Sequence, residues 1–399
     1  MKTRRSLLVQ GMAAAASLLL AGRAQARTVR IGYSISKTGP YATGAGITTL
    51  PNYRLWVEEV NAAGGLKLAT GPTRIAVVEY DDRSSPEETI RNIERLITQD
   101  RVDFVLPPWG TAMNLAVAPV FARHGYPQIA VTNLSEKTPE LVRRWPSYFS
   151  FLGLPSQYAE ALALLLRNLA AAGRMGRRVA VVHTDDEFGL ELSGAFRRAA
   201  QKEGLELVYF QGYPAGFSDF QSLLNAVKGR SPDAFVAFSY PAETLALPEA
   251  AAVVGFNPAV FFLGVGTAFP IFRQRYGANA EGIMGLGGVV PNQAWRTYLE
   301  RHRAVTNQEP DRWASPVTYA SLQALRAAIE KIGKVDRFQI VRLLRQETFD
   351  TLLGPLQLEG NVFRGNWLIG QWQGGEFVAL MPERPGAVAP RVPKPSWSR

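Results

Sequence analysis

Apolar and polar positions change their spacing repeatedly along this chain, and the changes predict its elements. Short runs rich in β-branched residues indicate strands, and each run is followed by a polar turn and a stretch with apolar residues every three or four positions. Strands that alternate with amphipathic helices are typical of an α/β fold with parallel sheets. The first series has predicted strands at residues 29–35, 73–80 and 102–106 and a predicted helix at 111–124.

A second series repeats this order and predicts a second, related lobe. It has predicted helices at 157–172 and 190–202 and strands at 178–183, 205–210 and 233–238. Asp103-Phe-Val in the first series and Asp233-Ala-Phe-Val in the second stand at matching points, and no short repeat period is visible. This pattern favours two Rossmann-like lobes over a solenoid. Residues 382–399 are rich in proline, and we expect them to be extended or mobile rather than packed.

The first 26 residues have the features of an export signal. A basic start is followed by an apolar stretch and by Ala24-Gln25-Ala26, which fits a cleavage site. The apolar stretch is shorter than the roughly 20 residues that span a bilayer, so we expect no membrane insertion after cleavage. The pair Arg4-Arg5 also matches a twin-arginine pattern, although two adjacent arginines begin many ordinary signals.

Charge and cysteine content limit the partners and the compartment. Removal of Lys2, Arg4, Arg5 and Arg23 with no acid lowers the formal net charge from +10 to +6. The remaining basic residues form no stripe, so the sequence does not favour nucleic-acid binding. The chain has no cysteine, which excludes disulfides and a lipidated cysteine anchor. An untethered exported protein is retained only between two membranes, so we predict a periplasmic location.

No catalytic motif is found. The sequence lacks G-x-S-x-G, H-E-x-x-H and the phosphate-binding G-x-x-x-x-G-K-[ST], and its near matches to G-x-G-x-x-G lack the third small residue. His124 and His302 read as solvated helix residues, and His183 reads as a hydrogen-bonded structural histidine. We therefore expect no enzyme activity, no catalytic residue, no metal and no cofactor.

Small and polar residues follow several predicted strands. Ser36-Lys-Thr-Gly-Pro-Tyr41 and Pro107-Pro-Trp-Gly-Thr111 come from the first series, and Ser239-Tyr-Pro-Ala-Glu243 comes from the second. Open α/β sheets bind ligands beyond the carboxyl ends of their strands, where helix amino-termini carry partial positive charge. The loops therefore predict a cleft for a small-molecule ligand between the lobes.

The chain resembles the periplasmic solute-binding proteins of ABC importers of the leucine/isoleucine/valine type. The resemblance covers nearly all of the mature chain, and it depends on the order and spacing of several short stretches. These are residues 31–46, Asn61-Ala-Ala-Gly-Gly65, Asp81-Asp82, residues 110–119, Gly125-Tyr-Pro127, Pro232-Asp233, Glu281-Gly282 and residues 354–365.

The resemblance implies the type I periplasmic binding protein fold, in which three crossovers join two lobes and act as a hinge. We place the crossovers near Ser147, Glu281 and Leu356. The expected division is an export signal at 1–26, lobe 1 at 28–147 plus 282–356, lobe 2 at 148–281 plus 357–381, and a proline-rich tail at 382–399.

The resemblance also implies ligand-binding residues. Hydroxyls and backbone N–H groups at Gly110, Thr111, Thr132 and Asn133 match positions that hold the ligand carboxylate, although turn or cap chemistry is an equal alternative for Thr132 and Asn133. Matches to the pocket wall are Tyr41, Trp109, Phe149, Phe188 and Tyr240. For Phe149 an ordinary core position is nearly as good an interpretation.

This chain departs from the family where the amino group of the ligand is recognised. Amino-acid binders of this type carry an acid in the loop that matches Leu263-Gly-Val-Gly-Thr267, and here that loop has none. A buried ammonium without a carboxylate partner is strongly penalised. We therefore expect a branched-chain amino acid, an aromatic or aliphatic acid, or an amide, with no requirement for an amino group; Glu243 is the nearest acid that could replace the missing one.

The sequence leaves three roles open, of which import is the first. The leading interpretation is an importer component that works with ABC permease and ATPase subunits at the inner membrane. The alternative is a periplasmic sensor that acts with a receptor or regulator. An exported hydrolase is a distant third and would need His183, an acid and a hydroxyl to converge in one pocket.

Overall fold

Strand β1 lies at the centre of the first sheet, and nearly all of its residues are buried. A computed structural model describes residues 28–214 and 216–398, so the predicted export signal lies outside the described residues. β1 pairs in parallel with β4 and β5. The elements up to the first crossover are β1 (Val29–Ile35), α1 (Ala42–Thr48), α2 (Leu50–Ala62), β2 (Leu66–Leu68), β3 (Gly71–Thr73), β4 (Ile75–Asp81), α3 (Pro86–Thr98), β5 (Phe104–Leu106), α4 (Thr111–Arg123), β6 (Gln128–Ala130), α5 (Thr138–Arg144) and β7 (Tyr148–Ser150).

The second lobe is built around a seven-stranded sheet in the order β18-β17-β12-β11-β10-β8-β9. Strands β8 to β12 pair in parallel, and β17 and β18 close one edge in antiparallel pairing. Its continuous elements are α6 (Pro155–Ala171), β8 (Arg178–Thr184), α7 (Glu187–Lys202), β9 (Glu206–Tyr213), α8 (Phe220–Lys228), β10 (Ala234–Phe238), α9 (Pro241–Val253), β11 (Val260–Leu263), α10 (Pro270–Tyr276), a 3-10 turn (Gly277–Ala280) and β12 (Met284–Leu286).

The chain then returns to the first lobe before it ends in the second. The returning elements are α11 (Gln293–Thr306), α12 (Ala314–Ile332), α13 (Arg337–Gln346), β13 (Phe349–Thr351), β14 (Gly354–Leu356), β15 (Leu358–Glu359) and β16 (Val362–Phe363), and the last pair is β17 (Ile369–Gln373) and β18 (Glu376–Met381). In the first lobe, β15, β16, β7 and β6 form a second sheet. The predicted α/β fold with two mostly parallel lobes is confirmed.

The three crossovers lie later in the chain than predicted. β7 pairs in parallel with β6 in the first lobe, so the first crossover follows Ser150 instead of Ser147. β12 pairs with β11, so the second follows Leu286 instead of Glu281. β16 pairs with β7, so the third follows Phe363 instead of Leu356. Each error has the same cause: a strand of two or three residues is assigned to a sheet by its backbone hydrogen bonds, which composition does not reveal.

The proline-rich tail packs against the second lobe, so the prediction of an unpacked tail is wrong. The N–H of Lys394 donates to the carbonyl of Ala259 at 2.8 Å, and the indole N–H of Trp397 donates to the carbonyl of Phe256 at 2.8 Å. Prolines lack an N–H donor but keep a carbonyl acceptor, and the guanidinium of Arg174 donates to the carbonyl of Pro390 at 3.0 Å. The tail is therefore extended but fixed.

The chain breaks between α1 and α2 at Thr49, and Pro51, which has no N–H to donate within a continuous helix, stands in the first turn of α2. The spacing of apolar residues predicts a later helix from about Tyr319 to Ile332, but α12 begins five residues earlier, at Ala314. Asp311 is fully buried and accepts hydrogen bonds from the N–H groups of Trp313, Ala314 and Ser315 at 2.9, 2.9 and 2.6 Å. This cap starts the helix early and carries Trp313 to the junction of the lobes. No helix in residues 28–214 and 216–398 is long and apolar enough to cross a membrane.

Candidate ligand-binding site

A small cavity lies where the two lobes meet. Its wall comes from the loops that follow β5, β6, β10 and β11, together with α1, the start of α7 and the start of α12. The lining residues are Thr48, Trp109, Gly110, Thr111, Thr132, Leu134, Leu152, Phe188, Tyr240, Val265, Trp313 and Ala314. Its position beyond the carboxyl ends of parallel strands is where α/β folds bind ligands.

One end of the cavity is polar because the loop after β5 leads directly into α4. Gly110 adopts φ +93°, a conformation that glycine takes readily, and its N–H donates to the hydroxyl of Thr132 at 3.0 Å. The N–H of Leu134 donates to the hydroxyl of Thr111 at 3.2 Å. These two bonds tie the loop after β6 to the start of α4, so that both hydroxyls reach the same end of the cavity.

The start of α4 is open to an anion. Gly110 stands at the N-cap and has no side chain that could cap the helix, which runs for 13 residues. The first N–H groups of a helix have no partner within the helix and carry partial positive charge. The hydroxyls of Thr111 and Thr132 donate to the carbonyls of Leu134 and Pro108 at 3.3 and 3.4 Å. They would donate to a carboxylate at this helix start by turning away from these carbonyls.

The side wall on lobe 1 is fixed by Trp109. Its indole N–H donates to the hydroxyl of Thr48 at 2.9 Å, and that hydroxyl donates to the carbonyl of Gly44 at 2.9 Å. A Cβ atom at Gly44 would lie 2.3 Å from the indole ring, closer than carbon atoms can approach. Glycine at position 44 therefore lets the indole lie directly on α1.

Aromatic rings from both lobes meet beside the cavity. The ring centroids of Tyr41 and Trp109 in lobe 1 lie 5.3 and 6.2 Å from that of Tyr240 in lobe 2. Phe188 stacks on Tyr240 at 5.1 Å with an interplanar angle of 29°. Because the contacts of Tyr41 and Trp109 with Tyr240 join residues of different lobes, the structure has the lobes closed over the cavity.

No charged side chain is found among the described residues that line the cavity. Two carboxyl groups lie nearby on lobe 2. Asp186 caps α7 by accepting from the N–H of Gly189 at 3.0 Å, and burial raises its pKa. Burial also raises the pKa of Glu243, in the first turn of α9. In the loop 263–267, Gly264 packs against the backbone of Ser239 and Val265 lines the cavity, so this loop offers no carboxylate.

The structure brings together most of the residues predicted for the site. Trp109, Gly110, Thr111, Thr132, Phe188 and Tyr240 line the cavity, and Tyr41 packs on two of them. Their contact with a ligand stays a prediction.

Besides Tyr41, three predicted residues do not line the cavity. The amide of Asn133 donates to the hydroxyl of Tyr148 at 2.8 Å, inside lobe 1, because neighbouring side chains of an extended segment point to opposite sides. Phe149 is fully buried in the hydrophobic core, as its alternative interpretation held. Glu243 lies outside the lining set.

Six lining residues were not predicted: Thr48, Leu134, Leu152, Val265, Trp313 and Ala314. Trp313 is distant in sequence from every other part of the site, and its indole N–H donates to the hydroxyl of Tyr158 at 3.1 Å. The signal that could have found it is the helix cap at Asp311, which places the next residues at a helix start.

The histidines take no part in the cavity. His183 packs against Phe210 within lobe 2, with ring centroids 5.3 Å apart and an angle of 56° between the rings. His302 is fully buried, and its Nδ1 lies 2.9 Å from the carbonyl of Gln308, so the expectation that it is solvated is wrong. His124 is half-buried and lies 2.9 Å from Glu94.

Curated proteins similar to this chain are solute-binding proteins. The Leu/Ile/Val-binding protein homolog 3 of Brucella melitensis is 25% identical over 381 residues, which cover 94% of this chain and 99% of that protein. The Leu/Ile/Val-binding protein of Escherichia coli K12 is 23% identical over 349 residues, which cover 86% of this chain and 90% of that protein.

Solved structures share the fold at low identity. A branched-chain amino acid transporter substrate binding protein of Streptococcus pneumoniae, in complex with isoleucine, gives a TM-score of 0.74 at 21% identity and covers 92% of this chain and 100% of its own. A solute-binding protein of an ABC transporter of Rhodopseudomonas palustris, in complex with benzoate, gives 0.75 at 18% identity and covers 93% and 97%.

A family model described as periplasmic binding protein matches residues 28–376. This match covers both lobes and every residue that lines the cavity, and the resemblance seen in the sequence is thereby confirmed. The relatives are binding proteins and not enzymes. The chain belongs to the periplasmic binding protein family.

Proposed function

We propose that this protein captures a small carboxylate in the cavity between its lobes and delivers it to an ABC permease and its ATPase at the inner membrane. The observation that carries the proposal is the asymmetry of the cavity. One end has the open start of α4 with Thr111 and Thr132, and the remainder is uncharged and largely aromatic. The ligand would have an anionic head and an apolar body.

The polar end suits a carboxylate for an energetic reason. Removing a carboxylate from water costs several kcal/mol unless hydrogen bonds replace the lost water, and bonds to charged acceptors are stronger than neutral ones. The N–H groups at the start of α4 and the hydroxyls of Thr111 and Thr132 are such donors. A hydroxyl or an amide would use fewer of them.

The apolar part favours a compact body without an amino group. Trp109, Trp313, Phe188 and Tyr240 form flat walls, against which an aromatic ring or a branched chain can pack. Proteins of the same fold are known in complex with isoleucine and with benzoate, so the fold accepts both kinds of ligand.

The similarity to transporter binding proteins supports delivery to a permease. The similar protein solved with benzoate is a solute-binding protein of an ABC transporter, and this chain carries no catalytic motif. Cleavage of the predicted signal at residues 1–26 would leave the mature chain in the periplasm.

A ligand screen tests this proposal. Residues 27–399 would be melted with leucine, 4-methylpentanoate, benzoate, benzamide and phenylacetate, each at the same concentration. A ligand at about 100 times its dissociation constant stabilises the folded state by about 2.7 kcal/mol, which raises the melting temperature by several degrees. We expect shifts with the acids, and none with benzamide or leucine.

Two results would contradict the proposal. A shift with benzamide equal to that with benzoate would show that the carboxylate is not recognised. A shift confined to leucine would show that an amino group is required. The transport role is tested separately by uptake of the labelled acid in cells that lack the gene, where uptake equal to that of wild-type cells would exclude it.

A further inference from the structure

Residues 135–137, which we call the rim segment, connect lobe 1 to lobe 2 through carboxylates. They follow Leu134, which lines the cavity, and they precede α5 of lobe 1. The hydroxyl of Ser135 donates to Glu191 on α7 at 2.9 Å, and the N–H of Glu136 donates to the other oxygen of Glu191 at 2.5 Å. One carboxylate of lobe 2 therefore holds two donors of lobe 1.

The rim segment also supplies a carboxylate of its own, which accepts hydrogen bonds from lobe 2. The carboxylate of Glu136 accepts from the N–H of Ser156 at 2.5 Å and from its hydroxyl at 3.3 Å. Ser156 stands in the first turn of α6, a helix of 17 residues. A carboxylate at a helix amino-terminus is favoured by the hydrogen bonds and by the helix dipole. Each lobe thus supplies one carboxylate that is bound by the other lobe.

The carboxylates of Glu191 and Glu136 are half-buried, whereas a neighbouring ion pair is not. Lys137 and Glu187 lie 2.9 Å apart, with 54% and 44% of their side chains exposed. Exposed ion pairs contribute little, because water and salt screen them. Hydrogen bonds to a partly buried carboxylate are stronger than neutral ones. The two kinds of contact lie on one segment, which provides an internal comparison.

The geometry points to a closure latch: Glu191 and Glu136 hold the two lobes together through the rim segment, with no ligand required. Every group in the latch belongs to the protein, so its bonds form whenever the lobes close and break when they open. The latch is continuous with the binding loop, because the N–H of Leu134 donates to the hydroxyl of Thr111 in the cavity. The role of the latch goes beyond ligand capture, because its bonds set the fraction of empty molecules that are closed.

A closed empty state changes binding in a defined way. If only one conformation binds, the apparent dissociation constant equals the intrinsic one divided by the fraction of that conformation. An empty protein that is closed before the ligand arrives excludes it, whereas a latch that forms after entry slows its release. The balance between open and closed forms is therefore the quantity to measure.

The test is single-molecule energy transfer on the empty protein. The chain has no cysteine, so a pair can be introduced at the exposed positions Gln99 in lobe 1 and Lys202 in lobe 2 and labelled. We expect closed and open populations in the otherwise unchanged chain. Glu191→Ala should lower the ratio of closed to open molecules about tenfold. The matched control on the same helix, Glu187→Ala, should change the ratio less than twofold.

Three results would overturn the latch: an empty protein that is entirely open, no change with Glu191→Ala, or equal changes with Glu191→Ala and Glu187→Ala. Glu191→Gln keeps the side-chain length and removes only the charge, so it provides a second variant if the alanine form unfolds; we expect a smaller shift toward the open form, and no shift would also count against the latch. Because no ligand is present, failure here is distinct from failure of the proposed function.

Discussion

The indole N–H of Trp109 donates to the hydroxyl of Thr48 across 2.9 Å, although the two residues are 61 positions apart. Both are almost fully buried, so the bond is shielded from water. It joins the loop after β5 to the end of α1 and sets the angle of the ring that forms one wall of the cavity. Helix α1, which contains Gly44 and Gly46, is thereby linked to the candidate site.

Loss of the Thr48 hydroxyl should destabilise the folded state. Thr48→Val keeps the shape and leaves a buried indole N–H without an acceptor, which costs about 1–3 kcal/mol. Thr48→Ser keeps the hydroxyl and should recover most of that loss. Urea unfolding of both variants measures the difference, and equal stabilities for valine and serine would show that the bond contributes nothing.

A side chain at position 44 should displace Trp109. The Cβ of Gly44→Ala would lie 2.3 Å from the indole ring, and the repacking that relieves this overlap costs about 1–3 kcal/mol. Gly46 is a matched control in the same helix, because a Cβ there meets nothing within 4 Å. Gly46→Ala should gain up to about 1 kcal/mol from helix propensity. If thermal unfolding shows that both variants are more stable than the unchanged protein, or that both are less stable, this account is contradicted.

The sequence predicts those parts of the site that follow strands in regular order. Gly110 and Thr111 follow β5 and begin a helix, and this local signal holds in the structure. Thr132 and Asn133 show where such reasoning ends, because both have suitable chemistry but only one side chain faces the cavity. The direction of a side chain after a short strand depends on its register, which residue type does not determine.

Contacts between distant segments account for the remaining differences. Trp313 reaches the cavity because a buried Asp311 caps α12, and the first α12 residue was predicted to be Tyr319. The tail packs because Trp397 and Lys394 meet carbonyl groups of lobe 2 that are more than a hundred residues away in sequence. Composition describes the tail as unable to form a core of its own, but it does not reveal a surface that another lobe provides.

The hydroxyl of Thr132 should contribute to ligand affinity. Thr132→Val removes a donor from the polar end of the cavity and also leaves the N–H of Gly110 without its acceptor. We expect about a tenfold to hundredfold weaker binding of the acid that gives the largest shift in the ligand screen, measured by calorimetry. Thr132→Ser should bind within about threefold of the unchanged protein. Equal affinity of the valine and serine variants would remove Thr132 from the site.

Lys394 should make stability depend on pH in the alkaline range. Burial lowers the pKa of its ammonium group from 10.5 to about 8. Between these values the unfolded chain binds a proton that the folded chain does not, so the free energy of unfolding rises with pH. We expect the stability of the native chain to rise relative to Lys394→Met from pH 8 to pH 10, by at most about 3 kcal/mol. Parallel curves for the two proteins would show that Lys394 titrates normally.

The Glu243→Gln variant tests whether the site uses a carboxylate of the protein to bind an amino group of the ligand. Burial raises its pKa above 4.5, and its Oε2 has no hydrogen-bond partner among the described residues. A carboxyl with a raised folded pKa contributes most below its unfolded pKa, and the contribution is lost as pH rises through the folded value. Glu243→Gln cannot ionise, so its stability relative to the native chain should increase between pH 4.5 and pH 7.

The same variant separates the two kinds of ligand. Glu243 does not line the cavity, so we expect Glu243→Gln to bind 4-methylpentanoate or benzoate within about twofold of the native chain, since uncharged walls hold the apolar body. If leucine binds the native chain and Glu243→Gln abolishes that binding, then Glu243 reaches the ligand ammonium when the site is occupied. In that case a carboxylate at the start of α9 takes the place of the one missing between residues 263 and 267.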